Sequence, residues 1–347
     1  MPKKNKIAIK TILSLFVILS CLLGYTVWEF IYGANVYYEK DQNEYLYIKN
    51  EATFEDVYET LKAYSFLENP ESFKWLAGVM NYSNNVHAGR YKLKRGMSNR
   101  ALLIKLRSGQ QDPIKIQFER LLKIEDIAAT FSEELQCDYD ELISLLRDES
   151  FLSSYGFTRV SVIGLFTPDT YLFNWNTTAH GVIDRMYAEY KKFWSESRRN
   201  KAKVVGLTPL EVITLASIVE QESWVKSERP DVAAVYLNRL KINMRLQADP
   251  TIKFIVKGQN IKRVLNKHLK IKSPYNTYLN YGLPPGPICL PTKNAIEAVL
   301  NPSKHDYLYF CANADFSGRH AFAKNHKEHM RNARAYQKAL NARKVYN

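Results

Sequence analysis

An uncharged run near the N-terminus limits what this chain can fold into more than any other feature. Residues Thr11 to Trp28 carry no charged side chain, and with Glu29 as the one interruption the apolar stretch extends to Tyr32. About 22 residues at about 1.5 Å each are enough to cross a hydrocarbon core of about 30 Å. We therefore predict a transmembrane helix over residues 11–32, preceded by a cytoplasmic tail over residues 1–10.

The residues on either side of the run indicate its orientation. Residues 1–10 contain four lysines and no acid, whereas Trp28, Tyr32, Tyr37 and Tyr38 lie at the other end. Basic residues stay on the cytoplasmic side of a membrane, and aromatic residues collect at its interfaces. We predict a single-pass anchor in the cell (inner) membrane with the rest of the chain outside. The alternative is a cleaved signal peptide, which shares the basic start and the apolar core but usually has a shorter apolar run.

Amino-acid composition indicates how many domains the part after the anchor can form and what kind of partner it can bind. A chain of 347 residues with 46% hydrophobic and 13% aromatic residues can form two or three domains with cores. Its net charge of +14 favours an anionic partner, either an acidic cell-wall polymer or lipid headgroups, although a solvated basic surface is an equal alternative. Nucleic acid is excluded as a partner because the part of the chain after the anchor is predicted to lie outside the cytoplasm, where it does not encounter nucleic acid.

Neither the cysteines nor the histidines indicate a metal or a cofactor. The four cysteines have no C-x-x-C spacing, which argues against a zinc ribbon or a disulfide framework, and leaves open whether Cys289 and Cys311 pair. His320, His326 and His329 lie near one another in sequence, but no neighbouring acid completes a known ligand spacing. We expect no metal and no cofactor.

Hydrophobic periodicity after the anchor predicts a mixed α+β fold. We predict a small α+β module over residues 40–110, an intermediate part over residues 111–200 and the core of the main domain over residues 201–347. The module's predicted elements are strands over residues 43–48 and 87–93 and helices over residues 53–64, 70–80 and 98–107. A helix over residues 181–198 and a strand over residues 307–312 are predicted further along.

The best-signalled helix begins after Thr208, which forms a capping box with Glu211, and ends with two glutamates. At about 100° per residue, Glu220 lies at the edge of the apolar stripe and Glu222 roughly 160° away. An acid beside an apolar face has a raised pKa and suits general acid catalysis. The alternative is that either glutamate is an ion-pair partner of Arg229, Arg239 or Arg245.

Two further segments are candidates for substrate contact. Asp169 lies in a rigid polar turn, LFTPDTYLF. Its side chain either orients a substrate hydroxyl or only makes a hydrogen bond within the turn. Residues 273–288, SPYNTYLNYGLPPGPI, are rich in proline, tyrosine and asparagine. Aromatic faces and amides of this kind suit a carbohydrate groove, and an ordered connector with packed tyrosines is the alternative.

Five segments in this order resemble the YceG-like family, the endolytic murein transglycosylases: LASIVEQES, SERPDVAAVYLNRLKINMRLQADPTIKF, YNTYLNYGLPPGPI, HDYLYF and RHAFAKNHKEH. The match runs through residues 205–329. GRYKLKRGMSNRALLIKLRSG and LFTPDTY extend the resemblance over nearly the whole exterior, the first of them to the family's LysM-like module. One departure is Ile163, which stands where the family often has an acid.

The resemblance implies a site and a reaction. It places the family's catalytic glutamate on Glu220. Its substrate-binding segments fall on Gln247, Asp249, Thr251, Tyr275, Asn276, Thr277 and Tyr278, with Asp169 in the PDTY segment. The implied enzyme is a lyase that cleaves the β-1,4 bond between N-acetylmuramic acid and N-acetylglucosamine inside nascent peptidoglycan strands, leaves 1,6-anhydro ends and so influences strand length.

Two other functions stay open from the sequence. A lysozyme-like hydrolase needs a second carboxylate about 5–9.5 Å from the first, and Asp249 is the one other acid to consider. A non-catalytic wall-binding or division scaffold protein would use the LysM-like module as its working part. Cell-wall synthases and division proteins are the candidate protein partners.

Overall fold

The computed structural model describes residues 3–38, 44–118, 123–256 and 264–343, and the chain divides into two compact units. The first unit comprises residues 1–115, 134–136 and 172–178, and the second comprises residues 116–133, 137–171 and 179–347. The fold is mixed α+β with one N-terminal apolar helix, as predicted. The finer division into exterior parts at residues 40–110, 111–200 and 201–347 stays a hypothesis.

The first helix, α1, spans Lys3–Tyr32. It contains a segment, Ile9–Tyr32, that is long and apolar enough to cross a membrane and whose most apolar part is not buried against protein. The predicted span over residues 11–32 lies within this segment. Because an apolar helix exposed in this way needs an apolar environment, its surface is suited to lipid.

The rest of the first unit is a strand, two helices, a strand and a further helix. These are β1 (Tyr45–Ile48), α2 (Phe54–Ala63), α3 (Pro70–Val79), β2 (Gly89–Lys92) and α4 (Asn99–Ser108). Strand β1 pairs antiparallel with β2, with Leu46 opposite Tyr91. Thr53 forms a capping box with Asp56 at the start of α2, and α4 ends at Gly109 in the left-handed conformation that glycine tolerates best.

The second unit is mostly helical. Its helices are α5 (Ile124–Glu134), α6 (Tyr139–Arg147), α7 (Glu149–Ser153), α8 (Ala179–Phe193), α9 (Glu196–Val204), α10 (Pro209–Glu222), α11 (Arg229–Lys241), α12 (Asp249–Ile255), α13 (Lys293–Leu300) and α14 (His326–Ala342). Strand β3 (Ile114–Phe118) pairs with β4 (Asp169–Phe173), and β5 (Tyr309–Ala312) pairs antiparallel with β6 (His320–Ala323).

Two predicted elements differ from the structure. The helix expected over residues 181–198 is two helices, α8 and α9, because the chain turns at Trp194, whose ring is buried. The polar turn expected at residues 168–170 leads at once into β4, which begins at Asp169 itself. Buried Tyr171 and Phe173 alternate with exposed neighbours along β4, a period-two pattern that favours a strand.

Helix α10 is the centre of the second unit's core. Thr208 caps it, Glu211 completes the predicted capping box, and every residue from Val212 to Glu220 is buried. It packs against α11, α12 and α13. A helix buried on nearly all sides is held firmly, so the two glutamates at its end have well-defined surroundings.

Candidate functional site

The two glutamates at the end of α10 contact different parts of the second unit. Glu220 contacts Arg229 at the start of α11 and Thr292 just before α13. Glu222, the last residue of α10, contacts Tyr236 in the middle of α11. The two side chains therefore point in different directions, as the predicted angle of roughly 160° between them requires.

Glu220 forms a buried ion pair with Arg229. Its Oε1 accepts a hydrogen bond from Arg229 Nη2 at 2.8 Å, and the exposed fractions of the two side chains are 4% and 1%. Its Oε2 accepts from the hydroxyl of Thr292 and from the Thr292 backbone N–H. Arg229 also donates to the Ser223 carbonyl at 3.1 Å and to Asn294 at 3.0 Å.

This network joins the end of α10 to α11 and to the start of α13. The ion pair with Arg229 is the structural alternative that the sequence left open for Glu220. Because both carboxylate oxygens accept hydrogen bonds from protein donors and little of the side chain is accessible, the geometry favours a positioning role. The catalytic assignment of Glu220 stays a prediction.

Glu222 lies in surroundings that suit an acid. It is half-buried, and the Tyr236 hydroxyl donates a hydrogen bond to its Oε1 at 2.7 Å. Burial and, to a smaller extent, the negative charge of Asp249 together raise the pKa of Glu222 to about 7, against the lowering effects of Tyr236, His320 and Lys253. A carboxyl with this pKa is partly protonated near neutral pH and can both donate and accept a proton.

Asp249 and Tyr278 lie beside Glu222. Asp249 is exposed at the first position of α12, and the Tyr278 hydroxyl donates to its Oδ1 at 2.5 Å. Burial, together with the hydrogen bond to Asp249, holds the pKa of Tyr278 well above its ordinary value, so this hydroxyl remains a donor. The site therefore has one carboxyl with a raised pKa and a second, exposed carboxylate within electrostatic range.

Gln247 reaches the surface next to Asp249 through an unusual backbone conformation. Its φ is 50°, in the left-handed region that residues other than glycine seldom adopt. The Gln247 N–H donates to the Thr277 carbonyl at 3.0 Å, and the N–H of Ala248 donates to the Thr277 hydroxyl at 2.9 Å. These bonds hold the turn, while the Gln247 side chain is exposed.

Three predicted substrate-binding residues are instead internal. Thr251, Asn276 and Thr277 are at most 2% exposed. The hydroxyls of Thr251 and Thr277 bond to each other at 2.9 Å, and Asn276 donates to the carbonyls of Leu269 and Ile271. Side chains whose polar groups are buried and bonded within the protein shape the turn and the loop. The assignment of these three residues to substrate binding stays a prediction.

The remaining predicted residues lie around the loop and the start of α13. Tyr275 is half-buried and packs on Phe254 with ring centroids 4.7 Å apart, which agrees with a packed connector. Asp169 is exposed and paired with Lys293, and the hydrogen bond from Lys293 lowers the pKa of Asp169. Asp169 is thus a fixed anion on the surface next to Thr292.

The histidines serve other contacts. His320 Nδ1 lies 2.7 Å from buried Glu228, and His329 stacks on Tyr309 with centroids 5.4 Å apart. Among the residues that the structure describes, no group of three or more His, Cys, Asp and Glu side chains is arranged to hold a metal ion.

Comparison with known proteins places this geometry in context. The model of the YceG-like family matches residues 46–335. An endolytic murein transglycosylase of Bacillus subtilis is 33% identical over 289 residues, covering 78% of each chain. One from Streptococcus pneumoniae serotype 2 is 29% identical over 342 residues, covering 89% of this chain and 61% of its own length. The crystal structure of a putative yceG-like protein from Listeria monocytogenes superposes with a TM-score of 0.54 at 27% identity, covering 84% of this chain and 99% of that one.

Proposed function

The chain belongs to the YceG-like family, and from this premise we propose that it is an endolytic murein transglycosylase in which Glu222 is the general acid and base. The reaction is cleavage of the β-1,4 bond between N-acetylmuramic acid and N-acetylglucosamine within peptidoglycan strands. The observation that carries the choice of residue is geometric: Glu222 is half-buried beside exposed Asp249 and accepts a hydrogen bond from Tyr236. Burial raises its pKa to about 7, which agrees with this role.

One carboxyl suffices for this reaction because the substrate supplies its own nucleophile. Glu222 in its acid form gives its proton to the glycosidic oxygen, and the bond from that oxygen to the anomeric carbon of the muramic residue breaks. The C6 hydroxyl of the same residue then attacks the anomeric carbon, and its proton returns to Glu222. The products are a 1,6-anhydro end and a new N-acetylglucosamine end, and no water is consumed.

Glu222 fits this cycle better than Glu220 does. A general acid must reach the substrate and must be protonated before it acts. Glu222 is partly accessible and accepts one hydrogen bond from Tyr236, whereas Glu220 is enclosed and paired with the permanent positive charge of Arg229.

The exposed neighbours of Glu222 supply the rest of the site. Positive charge develops at the anomeric carbon as the bond breaks, and the carboxylate of Asp249 stabilises it electrostatically. The Gln247 amide can donate to and accept from sugar hydroxyls and N-acetyl groups, since its side chain is exposed beside Asp249. Thr251, Asn276 and Thr277 hold this turn in place and have no direct contact with the sugar.

Asp249 also supports the second candidate function. Its charge acts on Glu222, so the site contains two carboxyl groups in the same region, the requirement of a lysozyme-like hydrolase. A hydrolase adds water and leaves a reducing muramic end. The non-catalytic scaffold function would leave glycan strands uncut.

Product analysis distinguishes the three functions. Purified uncrosslinked glycan strands incubated with the full chain should give internal cuts whose muramic ends are 18 mass units lighter than reducing ends, because one water is not added. Mass spectrometry of the products before and after borohydride reduction checks this, since only reducing ends gain hydrogen. Reducible ends would establish the hydrolase, and intact strands would establish the scaffold.

The N-terminal helix and the first unit complete the proposal. Helix α1 is a single-pass anchor in the cell membrane, its lysine-rich start is cytoplasmic, and the rest of the first unit lies outside with the second unit. The first unit is LysM-like, a proposal supported by its order of strand, helix, helix and strand from β1 to β2. Peptidoglycan strands are its substrate partner, and cell-wall synthases or division proteins are the candidate protein partners.

A topology reporter tests the anchor. An enzyme that is active only outside the cytoplasm, fused after residue 60 of the chain, should be active, because four lysines precede the uncharged run. A reporter active only in the cytoplasm, fused at the same place, serves as the matched control and should be silent. The reverse pattern rejects the orientation.

A further inference from the structure

A buried polar network joins the end of α1 to the rest of the first unit. Asn35, 5% exposed, donates to the Asn69 carbonyl at 2.9 Å and to Asn99 Oδ1 at 2.6 Å, and accepts from the Asn69 N–H at 2.6 Å. Asn99, 1% exposed, donates to the Phe30 carbonyl within α1 and to the Ser72 hydroxyl, both at 2.9 Å. A satisfied buried network of this kind fixes geometry.

Helix α3 runs from this network back along α1. Asn69, the N-cap of α3, contacts Asn35, which lies three residues beyond the end of α1. Trp75, one and a half turns into α3, contacts Phe30 inside α1, with ring centroids 6.2 Å apart. Later residues of α3 therefore contact positions of the chain that are closer to the N-terminus of α1. Val79, four residues after Trp75 on the same face, lies further back again.

Helix α4 begins beside the same part of α1. Ser98, its N-cap, forms an isolated antiparallel bridge with Ala34, and the guanidinium of Arg100 lies 5.9 Å from the ring of Tyr32 in α1. Ile104 is four residues after Arg100 and shares its face. Helix α3 thus points from the end of α1 towards the membrane that α1 is proposed to cross, and α4 begins at the same part of α1.

The length of α1 places the ends of these helices at the membrane surface. Its 30 residues span about 45 Å, about 15 Å more than the hydrocarbon core of a bilayer. The surplus lies in the interfacial zones, and Tyr25 and Trp28, stacked with centroids 6.3 Å apart, are the aromatic residues expected at the outer one. Because α3 contacts α1 at Phe30, its next turn reaches the same level.

The residues that reach this level are apolar and exposed. Trp75 is 43% exposed, Val79 65% and Ile104 44%, and we name these three the docking face. We propose that the docking face inserts into the outer interface of the membrane that α1 crosses. Arg100 and Arg107, both exposed, lie four residues before and three after Ile104, where their guanidinium groups can meet lipid phosphates.

Insertion of the docking face would fix the height and the orientation of the first unit above the membrane. A helix followed by a flexible linker lets the exterior part sample a range of heights above the membrane. With the docking face inserted, the first unit sits against the bilayer at one height and in one orientation. The inference rests on the proposed membrane anchor and is independent of which glutamate carries out catalysis.

Depth-dependent quenching tests the proposal on the full chain in lipid vesicles. The four cysteines are replaced by serine, and a single cysteine bearing a bimane fluorophore is placed at residue 79. Residue 16, inside α1, is the positive control. Residue 64 is the negative control, since Tyr64 is 64% exposed and packs on Phe66, which bonds to Tyr37 beyond the end of α1. Lipids brominated high on their acyl chains are the quencher.

We expect the label at residue 79 to be quenched several-fold more than the label at residue 64. Adding Ile104→Asp should weaken quenching at residue 79, and the matched change Tyr64→Asp should not. Quenching at residue 16 with none at residue 79 would overturn docking and leave the anchor intact. Absence of quenching at both residues would overturn the anchor and the docking together. Glycan cleavage by the labelled chains, measured separately, reports on the catalytic proposal alone.

Discussion

Glu222→Gln is expected to lower glycan cleavage by about 10²-fold or more while the protein remains folded, because an amide cannot exchange the proton that general acid catalysis moves. Glutamine keeps the size of the side chain and can still accept the hydrogen bond that Tyr236 donates at 2.7 Å. The measurement is the rate of strand cleavage per folded molecule, with 1,6-anhydro ends counted by mass spectrometry.

The matched control is Glu220→Gln, two residues earlier on the same helix. If Glu222 is the acid, the Glu220 variant retains turnover in the fraction of molecules that remain folded. A Glu222 variant near wild-type activity, together with a folded and inactive Glu220 variant, would instead establish the assignment that the resemblance implies for Glu220. One pair of variants therefore decides between the two carboxyls.

The pH dependence of cleavage gives the same proposal a second test. The pKa of about 7 at Glu222 means that the acid form needed for the first proton transfer is lost as the pH rises through about 7. We expect kcat/KM to fall above that pH in the wild type. Removing the neighbouring charge with Asp249→Asn should shift the alkaline limb to lower pH, since Asp249 raises the pKa of Glu222.

The sequence predicted the helix of the site better than it predicted the site itself. The capping box of Thr208 and Glu211 and the apolar periodicity are local signals, so they located α10 and the different directions of its two glutamates. The partners that decide the roles of these glutamates come from elsewhere. Thr292 lies 72 residues from Glu220 in sequence, and no periodicity within one helix reveals such a contact.

The polar residues of the turn and the loop show a second limit of prediction from the sequence. Threonine and asparagine hydrogen-bond a sugar or a neighbouring backbone equally well, so residue type alone does not distinguish a substrate contact from an internal bond. Burial distinguishes them, because Thr251, Asn276 and Thr277 are enclosed whereas Gln247 and Asp249 are exposed. Burial depends on the packing of α12 against α10, which the sequence pattern did not predict.

Glu220→Gln is expected to destabilise the second unit strongly, by about 3–5 kcal/mol, the usual result of removing one partner of a buried ion pair. Arg229, 1% exposed, would keep its charge without the carboxylate 2.8 Å away. Thermal or urea unfolding of the variant checks this. Replacing both partners with apolar residues of similar size, Glu220→Leu with Arg229→Met, should recover much of the loss, because no unpaired charge is then buried.

Glu222→Gln provides the contrasting result in the same unfolding measurements. The folded pKa of Glu222 is raised from 4.5 to about 7, so the stabilisation that its protonated form contributes is fully present below pH 4.5 and is lost as the pH rises through about 7. A neutral amide does not have this dependence. The variant should therefore be at least as stable as the wild type at pH 8, where Glu220→Gln is much less stable. Equal losses of stability in the two variants would contradict the division of roles, because a carboxyl that is costly to ionise and a carboxylate held by a buried guanidinium respond to the same substitution with opposite signs.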